Sequence, residues 1–108
     1  MGVELLLLET TLPGEWGDAA VAQFSSLFIT AGLAACVHRQ RISSAYEWEG
    51  EVCDEREWVI RLKTSESKLS ELIAVLEAEH PYDEPQIIHW PADAGPSYLA
   101  WVGEKLEG

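Results

Sequence analysis

The feature that most constrains the fold is a long uninterrupted ribbon in the middle of the chain. Residues 33–53 contain no proline, and their only glycine is Gly50. Over 42–49 the side chains alternate between two sets, which is the period of a half-buried β-strand. At about 3.3 Å per residue, an extended segment 34–49 would span roughly 50 Å. A domain of this size has a radius of gyration of only about 13 Å, so such a strand must bend or project beyond the core.

A second strand follows, in which Trp58 and Ile60 occupy alternate positions. The polar segment 53–56 predicts the turn that joins the two strands into a hairpin. A projecting hairpin would expose Tyr46, Trp48 and Trp58, and large aromatic rings are enriched in intersubunit surfaces. We therefore predict an oligomer with these three residues at its interface.

The rest of the chain alternates between apolar runs and helical stripes. The first helix should end near Gly32, because glycine readily adopts the conformation that follows a helix C-terminus. The second should begin at Thr64 or Ser65 and stop at His80, which precedes a proline. The predicted elements, in order, are a strand over 3–9, a loop over 10–14, a helix over 15–31, the hairpin, a helix up to 79, a strand over 85–91 and a short helix over 97–106.

This order predicts an α+β fold of the ferredoxin-like βαββαβ type. It would have a four-stranded antiparallel sheet with the two main helices on one face, a short C-terminal helix and the long hairpin. A length of 108 residues favours a single domain over 1–108.

The charge balance excludes several kinds of partner. The formal net charge is −12, which disfavours nucleic acids and anionic membranes because both need a positive surface.

No apolar run approaches the length of a membrane span or a secretion signal. The two cysteines are too few for a disulfide scaffold, so we expect reduced thiols and a cytoplasmic protein.

The segment 80–85, His-Pro-Tyr-Asp-Glu-Pro, gathers an imidazole, a phenol and two carboxylates between two prolines. Proline restricts its own backbone and that of the preceding residue, so these groups sit on a stiff connection that suits binding. An alternative is that the segment is only a solvent-exposed helix stop. Local sequence favours neither.

A metal site could draw on His80, Glu57 and Cys36, together with Asp83 or Glu84. Imidazole, thiolate and carboxylate suit copper or zinc better than magnesium or calcium. The spacing matches no compact metal motif, however, and a cysteine in the apolar run 33–37 is more often a small buried hydrophobe.

Two basic features have alternative interpretations. Lys63 precedes a helix N-terminus, where it could help to bind an anion or could pair with Glu57. The patch 38–41 could bind an anion or pair with carboxylates across a subunit contact, and we favour the pairing. The sequence shows no serine nucleophile motif or glycine-rich phosphate loop, so we predict no catalytic residues and no enzymatic activity.

Five short segments, read together, resemble the CutA family of divalent-cation tolerance proteins. They are Leu-Ala-Ala-Cys-Val at 33–37, Tyr-Glu-Trp-Glu-Gly at 46–50, Glu57 with Lys-Thr at 63–64, His-Pro-Tyr with Glu-Pro within 80–85, and Tyr-Leu-Ala-Trp at 98–101. Their order and spacing carry the resemblance, which covers nearly the whole chain.

The resemblance implies a tight cytoplasmic homotrimer, formed through long hairpins and similar to the PII signalling proteins, that is associated with tolerance of copper and other divalent cations. It also implies that His80, Glu57 and Cys36 form a metal site. An alternative is a PII-like sensor, in which a subunit cleft near Lys63, His80 and Tyr82 binds a small anionic ligand and reports to a protein partner.

Three departures from the family pattern bear on the site and the ribbon. Thr10 stands where some copper-binding members carry a cysteine, which should weaken copper(I) binding in particular. His38 replaces a usual asparagine. Gln40 and Arg41 replace a usual Pro-Gly kink, so we expect the ribbon to bend differently here.

Overall fold

The computed structural model describes residues 4–107, and it confirms the predicted ferredoxin-like arrangement. The elements are β1 (Leu5–Pro13), α1 (Asp18–Thr30), β2 (Cys36–Trp48), β3 (Glu51–Ser65), a 3₁₀ turn (Glu66–Lys68), α2 (Leu69–Glu79), β4 (Ile88–Ala92) and α3 (Pro96–Glu107). The four strands form one antiparallel sheet in the order β2-β3-β1-β4.

The main core lies between the sheet and the two long helices. Alternate residues of β1 and β3 point toward α1 and α2, because successive side chains of a strand face opposite sides. These core side chains are Leu8, Leu12, Trp58, Ile60 and Leu62 from the sheet, and Val21, Phe24, Phe28, Leu72 and Leu76 from the helices. Burying each leucine contributes about 2 kcal/mol.

A smaller core holds α3 against the opposite face of the sheet. Leu5 packs there with Val102 and Leu106, and Tyr98 lies against the same cluster. The predicted terminal helix is therefore confirmed, and it covers only one end of this face. No helix in the part of the chain that the structure describes is long and apolar enough to cross a membrane.

The end of α1 confirms the predicted role of Gly32. Its φ is +74°, and the Gly32 amide donates to the Ile29 carbonyl while the Leu33 amide donates to the Phe28 carbonyl. This is a Schellman motif, in which a left-handed residue reverses the chain after a helix. It directs the chain into the ribbon at once.

The hairpin turn lies at Glu49 and Gly50, so the prediction of a turn over 53–56 is wrong. Both turn residues have positive φ, +51° and +81°, which gives a tight two-residue connection whose twist matches that of the strands. Glycine adopts this conformation freely, whereas glutamate does so rarely, so the pair does not resemble a typical turn sequence. Cys53 instead pairs with Tyr46 within the ladder.

The far half of the hairpin projects from the sheet, as its length predicted. β1 pairs with β3 only as far as the Pro13–Glu57 rung, whereas β2 and β3 stay paired out to Trp48 and Glu51. We call the two-stranded segment 43–56 the arm. It makes the molecule elongated, with extents of 49 × 25 × 22 Å.

Trp58 does not lie on the arm, and its predicted place at an intersubunit surface is wrong. The side chain is only 4% exposed and belongs to the main core. Its indole nitrogen donates to the Trp16 carbonyl at 2.9 Å, and the Arg41 guanidinium lies 4.2 Å from the ring centroid. The sheet alternation turns Trp58 toward the helices, whereas Tyr46 and Trp48 remain exposed on the arm.

The edges of the remaining elements also differ from the predictions. β1 runs on to Pro13, so Thr10 lies within a strand and not in a loop. Residue 3, at the predicted start of this strand, lies outside the described residues. α1 begins at Asp18 and not at 15, because a turn closed by the Trp16 amide and the Pro13 carbonyl comes first. β4 begins at Ile88 and not at 85, because its ladder with β1 starts only at the Glu9–Ile88 rung.

Candidate functional site

The candidate site begins where α2 ends. His80 adopts an extended backbone with φ −69° and ψ 138°, as expected for a residue before proline. β4 pairs with β1 only from Leu5 to Glu9, so no described strand covers this edge of β1 over residues 10–13. The connection 80–87 passes this uncovered edge and carries the side chains of the site.

Both ring nitrogens of His80 are engaged within the chain. Nδ1 accepts the Tyr82 backbone N–H at 3.1 Å, and Nε2 lies 2.9 Å from the Thr10 hydroxyl oxygen. An Nδ1 that accepts a hydrogen bond carries no proton, so the neutral ring holds its proton on Nε2 and donates it to Thr10. Burial lowers the pKa of His80 and so favours this neutral form, while a hydrogen bond with the Thr11 backbone acts in the opposite direction.

Tyr82 connects His80 to Glu57 on β3, next to the base of the arm. Its hydroxyl donates to Glu57 Oε2 at 2.7 Å, and its ring centroid lies 5.2 Å from that of His80. Burial raises the pKa of Tyr82, and the bonded Glu57 carboxylate raises it further. The phenol therefore stays protonated as a hydrogen-bond donor. Thr10, His80, Tyr82 and Glu57 form one continuous chain of contacts.

A cleft of about 800 Å³ opens between this chain of contacts and the arm. The Tyr46 hydroxyl donates to Glu55, just as Tyr82 donates to Glu57, so each of these carboxylates is oriented by a phenol. A second cavity of about 310 Å³ adjoins it and shares Glu55 and Tyr82. The larger cleft is lined by Thr11, Tyr46, Trp48, Glu55, Glu57, Pro81, Tyr82, Asp83, Glu84 and Gln86.

Comparison with known proteins identifies the family. The family model of the CutA1 divalent ion tolerance protein matches residues 8–105. The chain belongs to the CutA1 family. It is similar to the solved structure of CutA from Synechococcus elongatus, with a TM-score of 0.89 and 30% identity over 99% of this chain and 95% of that one.

Two relatives show how far the similarity extends along the chain. The CutA homolog of Xenopus laevis is 40% identical over 81% of this chain and 59% of that protein. The divalent-cation tolerance protein CutA of Thermus thermophilus is 32% identical over 88% of this chain and 91% of that protein. The chain spans about half the length of the animal CutA proteins it matches, from 44% to 59%.

The CutA fold of this chain brings together only part of the predicted site. His80, Tyr82 and Glu57 meet as described. Cys36 pairs with Lys63, at the far end of β3 from Glu57. At about 3.3 Å per residue, β3 positions 57 and 63 lie roughly 20 Å apart, so Cys36 does not join His80 and Glu57 within one chain.

Lys63 lies outside the cleft that a single chain forms, and its predicted place in a cleft between subunits stays a prediction. Its ammonium is 3.2 Å from the Tyr98 hydroxyl and 5.1 Å from the centroid of that ring, on the side of the sheet that α3 covers. It neither lines the cleft nor pairs with Glu57. In the patch 38–41, Arg39 faces Asp18 at 3.8 Å and Arg41 donates to the Gly14 carbonyl, so both arginines have partners in their own chain.

The donor groups present do not fit a metal ion within a single chain. Among residues 4–107, no three histidine, cysteine, aspartate or glutamate side chains lie close enough together to hold one. Neither nitrogen of His80 offers a free lone pair, because Nδ1 accepts a hydrogen bond and Nε2 carries the proton. The metal site that the CutA resemblance implies is therefore not assembled within the described residues of a single chain.

Glu55 was not singled out from the sequence as a site residue. It lines both cavities, but the misplaced turn hid it, because only a turn at 49–50 puts Glu55 opposite Ser44 and on the same face as Glu57. Thr10 was singled out only as a departure from the CutA pattern and not as the partner of His80. Its contact with His80, 70 positions away, has no local signal in the sequence.

Proposed function

We propose that this chain acts in divalent-cation tolerance as a homotrimeric cation-binding protein, with copper as the first cation to test. Relatives that match most of the chain carry the name divalent-cation tolerance protein CutA. We propose a binding role and not a catalytic one, and a cytoplasmic location, which two unpaired cysteines support.

The observation that carries the cation proposal is the composition of the larger cleft. Four of its lining side chains are carboxylates, Glu55, Glu57, Asp83 and Glu84, and no lysine, arginine or histidine joins them among the described residues. With a net charge of −12, the chain creates a negative potential that concentrates cations at its surface.

The homotrimer is supported by the arm. Trp48 is 60% exposed and Tyr46 is 42% exposed, on a two-stranded ribbon that has no core of its own. Isolated hairpins are marginally stable in water, so a ribbon of this length needs a covering surface. A second copy of the chain would supply one, and closed rings of identical subunits are a common form of assembly.

Assembly also bears on the missing metal ligands. A cation that needs three or more donors would have to draw them from more than one subunit, because residues 4–107 of a single chain do not bring three histidine, cysteine, aspartate or glutamate side chains together. Oxygen donors alone favour harder cations such as Mn²⁺, whereas copper would require a nitrogen or sulfur donor as well. Titration with cations of both kinds therefore reports which donor atoms the assembly supplies.

The test is isothermal titration of the purified assembly with Cu²⁺, Zn²⁺ and Mn²⁺ in separate runs. The double variant Glu55→Gln/Glu57→Gln keeps the size of both side chains and one acceptor oxygen in each but removes their charge. A matched control is Glu71→Gln/Glu77→Gln, which removes two exposed charges from α2. We expect saturable binding that weakens at least tenfold in the cleft variant only.

Equal weakening of binding in both double variants would show that the cations respond to the net surface charge and not to the cleft carboxylates. Absence of saturable binding for all three cations would refute the cation proposal. The His80→Ala variant adds a further comparison, since full retention of binding would show that this histidine is not a ligand.

The alternative of a sensor for a small anion is not favoured by the cleft. Lys63, the cation predicted to receive such a ligand, lies against Tyr98, and the cleft wall is acidic. Thermal-shift screening with nucleotides and organic acids tests this alternative, because a ligand that binds the folded state raises its melting temperature.

A further inference from the structure

The connection 80–87 must be held in place without a strand partner at its start. It leaves α2 at His80 and joins β4 only at Ile88. On the way it passes the uncovered edge of β1 and delivers Tyr82 to Glu57, which lies on the face away from α1 and α2 by strand alternation. A specific contact is therefore needed to fix the point at which the connection passes the edge of β1.

The His80 ring supplies that contact through both of its nitrogens. Nδ1 accepts the Tyr82 amide, which closes a tight local turn around Pro81. Nε2 reaches the Thr10 hydroxyl on β1, and Thr10 is fully buried in that strand. One nitrogen therefore fixes the shape of the connection, and the other anchors it to the sheet.

Packing fixes the orientation of the same ring. Phe24 of α1 lies edge-on to it, with a centroid distance of 6.3 Å and an interplanar angle of 80°, and the Tyr82 ring lies on another side at 5.2 Å. The ring is thus bounded by α1, β1 and its own connection. A ring held in this way cannot turn one nitrogen toward the cleft without losing a hydrogen bond.

We propose that His80 is a positioning residue that clamps the connection 80–87 to β1 and so places Tyr82 on Glu57, with its imidazole in the Nε2–H form and unavailable to a metal ion. In this chain the clamp takes the place of the ligand role that the family resemblance implies. The inference does not depend on the proposed function, because a cation bound by other residues of the assembly would leave the clamp intact.

The direct test is a two-dimensional ¹H–¹⁵N NMR spectrum of the histidine side chains in the 108-residue chain near pH 7.5. The two neutral tautomers give different nitrogen shifts and coupling patterns. We expect His80 to be in the Nε2–H form. The exposed His38 and His89 in the same spectrum serve as internal controls with ordinary tautomer mixtures.

The same sample is then titrated with Zn²⁺, which is diamagnetic. We expect the His80 nitrogen signals to remain in place at zinc concentrations that shift the exposed histidines. A saturable shift of His80 at lower zinc concentration than His38 and His89, or an Nδ1–H tautomer before zinc is added, would overturn the proposal.

Amide hydrogen exchange at Tyr82 provides a second readout, which separates positioning from general stability. His80→Ala removes both hydrogen bonds, whereas His80→Asn keeps an acceptor close to the Nδ1 position. We expect the Tyr82 amide to exchange at least tenfold faster in His80→Ala, with substantial protection restored in His80→Asn. Leu72, in the core of α2, reports global opening in the same experiment.

Thr10→Val tests the other half of the clamp, because valine keeps the shape of threonine and lacks the hydroxyl. We expect the Tyr82 amide to exchange faster in Thr10→Val than in the parent, because the connection loses its anchor on β1, while the core amides keep their protection. Unchanged Tyr82 exchange in both Thr10→Val and His80→Ala would contradict a positioning role.

Discussion

Trp48 offers the sharpest test of the idea that the arm is covered by other subunits. A tryptophan carries roughly 250 Å² of surface at most, and 60% of the Trp48 surface is exposed on the isolated chain. About 150 Å² is therefore left to bury, which at about 25 cal/mol per Å² corresponds to nearly 4 kcal/mol per subunit as an upper value. Ordering costs on association reduce this number.

The perturbation is Trp48→Ser, which removes the ring but leaves the strand register and the turn at Glu49–Gly50 unchanged. A loss of even about 2 kcal/mol per subunit weakens each contact roughly thirtyfold, since about 1.4 kcal/mol equals a factor of ten. Sedimentation equilibrium over a range of protein concentrations measures the effect. We expect the variant to dissociate at concentrations where the parent chain stays assembled.

The matched control is Ile29→Ser, which removes a side chain that is 42% exposed on α1, away from the arm. It should leave the assembly unchanged. If Trp48→Ser assembles as tightly as the parent and the control, the reasoning from exposed aromatic area is refuted.

Three further predictions concern stability, each followed by thermal or urea unfolding at a fixed protein concentration. Leu62→Ala should destabilise the chain by about 2–5 kcal/mol, because Leu62 is fully buried between the sheet and the helices, and a loss under 1 kcal/mol would contradict that packing. Gly14→Ala should destabilise it strongly, because a Cβ there would clash with the Arg56 carbonyl oxygen. Gly17→Ala, whose Cβ meets nothing within 4 Å, serves as the control. Because burial lowers the pKa of His80 below its ordinary 6.5, the unfolded chain binds a proton that the folded chain does not, so stability should fall as the pH drops below about 6.5. His80→Asn should lack this component, and an identical pH dependence in both proteins would refute it.

The sequence was sufficient for the order of the elements and for the long hairpin, because both depend on local periodicity and on length. The Leu72–Leu76 stripe and the left-handed Gly32 each have a local physical cause, and both are seen in the structure. The bounds of the hairpin turn were not predictable in this way. Glu49 adopts a positive φ that glutamate rarely takes, so its conformational preference does not predict a turn at this position.

The candidate site was less predictable, because its contacts join distant parts of the chain. His80 and Tyr82 are close because they are only two positions apart in the sequence. The other partner of His80, Thr10, lies on β1, 70 positions away. Alternation on β3 decides that Trp58 is buried while Glu57 faces the cleft, and a sequence pattern does not say which set faces the helices. The Lys63–Tyr98 contact likewise depends on where α3 docks.

Native mass spectrometry during separate titrations with Cu²⁺, Zn²⁺ and Mn²⁺ is the decisive measurement for a cation-binding homotrimer, because one spectrum reports both subunit number and bound metal. We expect a species at three times the 12.0 kDa chain mass that gains a saturable, defined number of ions of at least one of these cations, with copper tested first. A stable single chain at micromolar concentration, or a three-chain species that gains all three cations only as non-saturating series of adducts, would refute the proposal.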